Sequence, residues 1–165
     1  MKSVEPDGCA QNGVSVILPV LNEELYLVHT VEAILSQDYL GKMEVILAVG
    51  PSSDRTQLLA EELRKKDSRV VVLQNPSGRT AAGLNLAIKA STFPVIVRVD
   101  GHAEIPNNYI SLAVQILEKT GAVNVGGVMA ADGRTSFERA VALAMRSSFG
   151  VGSSRFHTGG SAGPV

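Results

Sequence analysis

Short β-branched, apolar runs alternate along the chain with longer stretches in which apolar residues recur every three or four positions. Val14-Ser-Val-Ile-Leu-Pro19 is the first run, and Asn22-Glu-Glu then opens a helical pattern reaching about Ser36, which predicts strand, loop, helix. Met43 to Val49 repeats the strand signal; Gly50-Pro-Ser-Ser-Asp54 closes it, and Asp54 can cap a helix from Thr56 to about Lys66. Arg69 to Leu73 predicts a third strand and Asn75-Pro-Ser-Gly78 a turn. Thr80 to Ala90 then reads as a small-residue helix with Leu84 and Ile88 on one face. Pro94 to Asp100 is a fourth strand running into Gly101-His-Ala-Glu-Ile-Pro106, and Asn108 to Thr120 is an amphipathic helix stopped at Gly121. A fifth strand is expected over Val123 to Ala130. Thr135-Ser-Phe-Glu138 has the form of a capping box for a helix reaching about Met145, and beyond Ser147 the patterning fades.

Strands alternating with helices at this spacing call for parallel pairing through right-handed crossovers, with helices on both faces of the sheet. Near-continuous apolar strands agree with burial on both sides. The expected fold class is therefore α/β with a mostly parallel central sheet. There is no internal repeat and no linker to divide the chain, so one domain is expected over residues 14–165, preceded by a polar leader at 1–13. Of the 165 residues, 45% are apolar and 19% charged, a globular balance rather than a disordered one. A formal charge of -1 with dispersed Lys and Arg leaves no footprint for nucleic acid or an anionic membrane, so small ligands are the better expectation. Cys9 is the single cysteine, which suits a reducing compartment. The leader lacks a signal-peptide core, and no stretch approaches the ~20 apolar residues of a membrane span.

In open α/β sheets ligands bind beyond the carboxyl ends of the strands. The loops there carry Val20-Leu-Asn-Glu23, Gly50-Pro-Ser-Ser-Asp54, Asn75-Pro-Ser-Gly-Arg79 and Asp100-Gly-His102. The last is the sharpest signal, because a carboxylate and an imidazole separated by one glycine can turn toward one cation, and Gly101 frees the turn. Those donors suit Mn²⁺ or another first-row ion better than Mg²⁺, and leave positions for diphosphate oxygens. The plain alternative is a turn capped by Asp100 beside a polar loop histidine. Arg79, just ahead of the Thr80 helix, could meet an anion at the positive helix end, although an exposed arginine beside an ordinary turn accounts for it equally well. Neither G-x-G-x-x-G nor a Walker A motif is present, which counts against dinucleotide cofactors and P-loop NTPases.

The order Ser15-Val-Ile-Leu-Pro-Val-Leu-Asn-Glu23, Glu44-Val-Ile-Leu to Ser53-Asp-Arg-Thr56, Gly78-Arg79 to Leu84-Asn85, then Val99-Asp-Gly-His102 resembles family 2 glycosyltransferases of the GT-A fold, over about residues 14–165. Asp100-Gly-His-Ala-Glu-Ile-Pro106, Asn124-Val-Gly-Gly-Val-Met129 and Phe156-His-Thr-Gly-Gly160 look most like bacterial enzymes of the succinoglycan and exopolysaccharide type. The resemblance implies that Pro19, Val20, Asn22 and Glu23 border a nucleotide-sugar site and that Arg79 approaches the nucleotide or diphosphate. Asn85 would either brace the basic turn or touch ligand. Asp100 and His102 take the two positions of the family's D-x-D, with Asp100 also facing the donor.

The implied reaction is inverting transfer of a sugar from a nucleotide-diphosphate donor, a UDP-sugar being favoured, to a saccharide or lipid-linked acceptor. A divalent metal, Mn²⁺ ahead of Mg²⁺, would assist it. Two departures stand out. Val49-Gly50-Pro51 occupies the place where many relatives carry the acid that recognises the base, so uridine specificity is open; Ser52, Ser53 or Asp54 could substitute, although a turn and cap at Asp54 is the favoured reading. The general base is also unmatched, Asp132-Gly133 reading as a turn and Glu138 as the capping-box partner. A truncated enzyme is the expectation, at work in the cytoplasm or at the inner face of the membrane. A noncatalytic nucleotide-binding module is the alternative, as is a sugar-phosphate nucleotidyltransferase, which lacks support because the first loop is not glycine-rich.

Overall fold

The computed structural model describes residues 13–127 and 135–147. The chain parts into two compact units, Met1–Gln115 and Ile116–Val165. The first holds β1 (Val14–Val20), α1 (Leu27–Leu35), β2 (Met43–Val49), α2 (Thr56–Lys66), β3 (Val70–Gln74), α3 (Thr80–Ala90), β4 (Val95–Arg98) and the opening turns of α4 (Tyr109–Thr120).

The strands form one parallel sheet in the order β3-β2-β1-β4. Central strands β1 and β2 pair in register from Val14 with Met43 to Val20 with Val49, and are buried almost throughout because both their faces are covered. One face packs Val16, Leu18, Val45, Leu47 and Val97 with Leu27, Val31 and Ile34 of α1, Ala60 and Leu63 of α2, and Ile110 and Val114 of α4. The other packs Ile17, Ile46 and Ala48 with Ala87 and Leu84 of α3. This division follows from handedness. The steps β1 to β2 to β3 move one way across the sheet, whereas β3 to β4 returns past β1, so right-handed crossovers put α3 on the opposite face. The reversal lies between β1 and β4.

Several boundaries differ from the sequence expectation. The first helix begins at Leu27 and not at Asn22, because Asn22 has a left-handed backbone (φ 56°) that a right-handed helix cannot contain. Leu27, Thr30, Val31 and Ile34 then form its buried stripe. The third strand is displaced by one residue toward Gln74, and the fourth is shorter than expected, although the Val99 N–H still reaches the Ile17 carbonyl at 3.1 Å. On α3, Ile88 is 48% exposed, and the helix turns Gly83 and Ala87 to the sheet beside Leu84. A β-carbon at Gly83 would stand 2.9 Å from Asn75 Nδ2 and 3.4 Å from Ala48 Cβ, so small residues set the close approach.

In the second unit α4 runs out at Thr120, followed by Gly121 in the left-handed conformation (φ 65°) that ends helices. Residues 123–127 form no strand, and the remainder of the expected fifth strand lies outside the described residues. Helix α5 (Ser136–Arg146) covers the span expected after the capping box, with the Arg139 N–H bonded to the Thr135 carbonyl at 2.9 Å. The Glu138 side chain, the Asp132-Gly133 turn, residues 1–12 of the polar leader and the Phe156-His-Thr-Gly-Gly160 motif lie outside the described residues. Among the described residues no helix is long and apolar enough to cross a membrane.

Candidate functional site

The loops that follow the strands meet at the carboxyl edge of the sheet. Gly50 hands its N–H to the Val20 carbonyl at 2.8 Å, and Asn75 hands its own to Val49 at 2.8 Å, which continues the ladder into the loops. A β-carbon on Gly50 would lie 3.0 Å from Leu21 Cδ1 and 3.2 Å from Gly78 Cα, so the first three loops touch there. Gly78, at φ 64°, sits against Pro51.

The first two loops are cross-bonded residue by residue. The Asn22 N–H donates to Ser52 Oγ at 3.1 Å, and Asn22 Oδ1 accepts the Ser53 N–H at 2.8 Å and the Ser53 hydroxyl at 3.3 Å. The Glu23 N–H donates to Thr56 Oγ1 at 2.7 Å, the Glu24 N–H to Asp54 at 3.1 Å, and the Arg55 N–H to the Glu24 carboxylate at 3.0 Å. These bonds satisfy the backbone donors that the left-handed turn at Asn22 frees from a helix. Asp54 also accepts the Thr56 N–H and hydroxyl, at 2.9 and 2.5 Å. Partial burial works to raise its pKa, but the Thr56 and Glu24 donors outweigh that and hold the carboxyl below its ordinary value. Asp54 is thus engaged in tying the first loop to Thr56, while the N-cap position of α2 falls to Arg55 with no side-chain cap bond, and Ser52 and Ser53 are engaged by Asn22.

The fourth loop meets the first at the point where the strand order reverses. Gly101 is buried, and a β-carbon there would come 2.9 Å from Glu23 Cγ and 3.1 Å from Val20 Cγ1. Thr30, buried on α1, donates its hydroxyl to the Gly101 carbonyl at 3.1 Å. Gln37, at the end of the same helix, donates to the Pro106 carbonyl at 2.7 Å and accepts the Ile110 N–H at 3.0 Å, which pins the far side of the loop.

Within this frame the predicted side chains take distinct places. Pro19 and Val20 belong to β1, and Val20 is buried in the core. Glu23 turns to His102, with Oε1 2.8 Å from Nδ1; the Glu23 side chain is 16% exposed and that of His102 63%. Tyr26 meets the His102 ring edge-on at 6.4 Å. Asp100 is half exposed and binds Arg98 through Oδ1, at 3.1 Å from Nε and 3.0 Å from Nη2. Asp100 and His102 thus each have a separate protein partner, and no bond joins them. Among the described residues Asp100 Oδ2 and His102 Nε2 have no hydrogen-bond partner, so one carboxylate oxygen and one imidazole nitrogen are available at this edge. No three His, Cys, Asp or Glu side chains gather as a cage among the described residues. Such a donor pair fits a divalent cation completed by ligand or water oxygens.

Arg79 stands at the N-cap of α3 with its guanidinium unpaired among the described residues. Asn75 braces that turn: Nδ2 donates to the Arg79 carbonyl at 3.1 Å and Oδ1 accepts the Ser77 hydroxyl at 2.8 Å. Asn75 is buried and Asn85 exposed, so of the two roles open to Asn85, bracing the turn is filled by Asn75. The side-chain turn signal of an asparagine two residues ahead of a serine was the available clue. Thr30, Gln37 and Thr56 were also missed; a polar residue on an otherwise apolar helix stripe is the mark that Thr30 carries in the sequence.

A groove of about 450 Å³ opens at the opposite edge, beside Lys42, Glu44, Arg69 and Thr92. Its carboxylate is already bonded to Ser15 and Thr92, and its guanidinium to Asp67. At the carboxyl edge, by contrast, Asp100 Oδ2, His102 Nε2 and the Arg79 guanidinium are unspent among the described residues.

Residues 15–161 match the sequence profile of glycosyl transferase family 2. The chain is 30% identical over 146 residues to the succinoglycan biosynthesis protein ExoA of Rhizobium meliloti, covering 87% of this chain and 44% of that protein. It spans less than half the length of the curated relatives it matches. Among solved structures, TarS of S. aureus superposes with a TM-score of 0.60 at 24% identity, over 74% of this chain and 24% of that one. The mannosyltransferase PcManGT from Pyrobaculum calidifontis, in complex with GDP-Man and Mn²⁺, superposes with a TM-score of 0.60 at 26% identity, over 70% of this chain and 35% of that one.

Proposed function

The chain belongs to glycosyl transferase family 2 and has the GT-A fold, and from that premise we propose that it is the nucleotide-sugar-binding portion of a metal-dependent glycosyltransferase. The whole protein transfers a sugar, with inversion, from a nucleoside-diphosphate donor to a polysaccharide or glycolipid acceptor. The observation that carries this reading is the gathering of the loops after β1 to β4 at one sheet edge, with Asp100 Oδ2 and His102 Nε2 unspent there. The GDP-Man and Mn²⁺ bound by the Pyrobaculum mannosyltransferase support a nucleotide sugar and a divalent cation.

In this reading Asp100 and His102 hold the cation, Mn²⁺ in preference to Mg²⁺ because of the imidazole. When bound, the cation supplies positive charge that stabilises the departing nucleoside diphosphate. Arg79 adds a second positive charge beside the free N–H groups at the start of α3, an arrangement suited to a phosphate oxygen. Pro19, Val20 and Asn22 form the wall of the nucleotide site, Asn22 by fixing the first loop against the second. Binding and orientation of the donor are the work of this segment, whereas deprotonation of the acceptor belongs to a base elsewhere in the protein.

Calorimetric titration with UDP, GDP and dTDP, each with and without Mn²⁺, tests the reading. Binding of at least one of them that requires Mn²⁺ is expected. Absence of binding by every nucleotide under both conditions would remove it.

A further inference from the structure

The pairing of Glu23 with His102 assigns a job to a carboxylate that the family resemblance put against the nucleotide. Glu23 is held from several directions. Its N–H is bonded to Thr56, its carbonyl accepts the N–H groups of Tyr26 and Leu27 at 3.1 and 2.9 Å, and its Cγ lies over Gly101, where any larger residue would displace it. Its side chain is mostly buried, yet its Oε1 reaches the ring of the exposed His102 at 2.8 Å. The edge-on Tyr26 ring limits the swing of the imidazole from another side. An ionised carboxylate can only accept a hydrogen bond, so the proton between the two groups belongs on Nδ1. The lone pair of the neutral ring then lies on Nε2, which has no partner among the described residues.

We propose that Glu23 is a positioning residue that fixes His102 in the Nδ1–H tautomer and so presents Nε2 as a donor atom at the carboxyl edge of the sheet. That the donor atom is directed to a divalent cation rests on the function proposed above. An outer carboxylate that orients a ligating histidine and raises its basicity is a general device of metal sites.

Long-range ¹H–¹⁵N correlation of the histidine rings, recorded at about pH 8, distinguishes the two neutral tautomers from each other and from the doubly protonated ring without metal or activity. His102→Gln identifies the His102 signals among those of the chain's 3 histidines. In the unsubstituted protein His102 is expected to show a protonated Nδ1 and a bare Nε2. Glu23→Gln, whose amide oxygen still accepts, should keep that pattern, and Glu23→Ala should move the proton to Nε2. In parallel, Mn²⁺ titrated in the presence of saturating UDP or GDP should bind Glu23→Ala roughly 10–100-fold more weakly and Glu23→Gln within a few-fold of the original protein. A protonated Nε2 in the unsubstituted protein overturns the proposal, and so does an unchanged tautomer in Glu23→Ala with the fold intact. If the tautomers follow expectation while the unsubstituted protein binds no Mn²⁺ with any nucleotide, the positioning role stands and the functional reading falls.

Discussion

The side-chain oxygen of Asn22 lies 2.8 Å from the backbone nitrogen of Ser53, across 31 residues of sequence, and this bond ties the loop after β1 to the loop after β2. Asn22 combines this acceptor with a left-handed backbone that few residues tolerate. Asn22→Ala is expected to destabilise by roughly 1–3 kcal/mol, since it loses the acceptor and keeps an unfavourable β-carbon. Asn22→Gly, which relieves the backbone, should cost about half as much. Urea unfolding of both variants ranks them, and an alanine variant as stable as the original would show that the tie carries no weight.

Asp100 and His102 are exposed and lie outside the core, so their removal should scarcely affect the folded chain. Asp100→Ala and His102→Ala are expected to melt within about ±0.5 kcal/mol of the original without ligand. Each should lose most of the thermal shift given by Mn²⁺ with the preferred nucleoside diphosphate. His102→Asp should recover the shift and move preference toward Mg²⁺, because a hard oxygen replaces the imidazole. Full retention of the metal-dependent shift by both alanine variants would reduce the tripeptide to a turn.

Gln37 connects α1 to the loop and to the start of α4 through bonds to the Pro106 carbonyl and the Ile110 N–H. Gln37→Leu keeps the volume roughly but strands a buried N–H, for which a loss of about 1–3 kcal/mol is expected. Chemical denaturation measures it. Hydrogen exchange should also accelerate at the Ile110 amide, and an unaltered exchange rate there would contradict the assignment.

Glu44 governs part of the acid stability. Burial works to raise its pKa, but bonds from the Ser15 hydroxyl and from the Thr92 N–H and hydroxyl outweigh it and hold the carboxyl below its ordinary 4.5. Because the folded value is the lower one, the unfolded chain takes up the proton first. The stabilisation is complete above that ordinary value and is lost as pH falls through the folded one. Glu44→Gln should therefore flatten the fall in stability below about pH 4.5 and leave the slope above about pH 6 unchanged. Asp54 and Asp67, also held low, contribute to the slope that remains. Identical acid slopes in urea titrations of the two proteins would contradict this.

Periodicity and turn chemistry in the sequence determined which elements form. Val14 to Val20 and Met43 to Val49 are apolar at almost every position, and only a strand covered on both faces makes use of that. Gly78-Arg79 and Asp100-Gly-His102 stood out because their residue types and their place after strands are local properties. By local propensity alone Asn22 before Glu-Glu is a fair helix opening, yet α1 starts only at Leu27. Partners on the second loop won instead, and propensity has no knowledge of Ser52, Ser53 and Thr56.

Tertiary structure alone decided the pairings that give the edge its character. Glu23 and His102 are 79 residues apart, and they meet because right-handed crossovers return β4 to the side of β1. The same reversal puts α3 on the face opposite α1 and α2, where Gly83 and Ala87, rather than the bulkier Ile88, meet the sheet. The sequence by itself thus determined the order of strands and helices and the donors at the strand ends. Which donor is spent on a neighbour and which is left unspent depends on contacts between segments distant in the chain, and these exist only once the sheet has assembled.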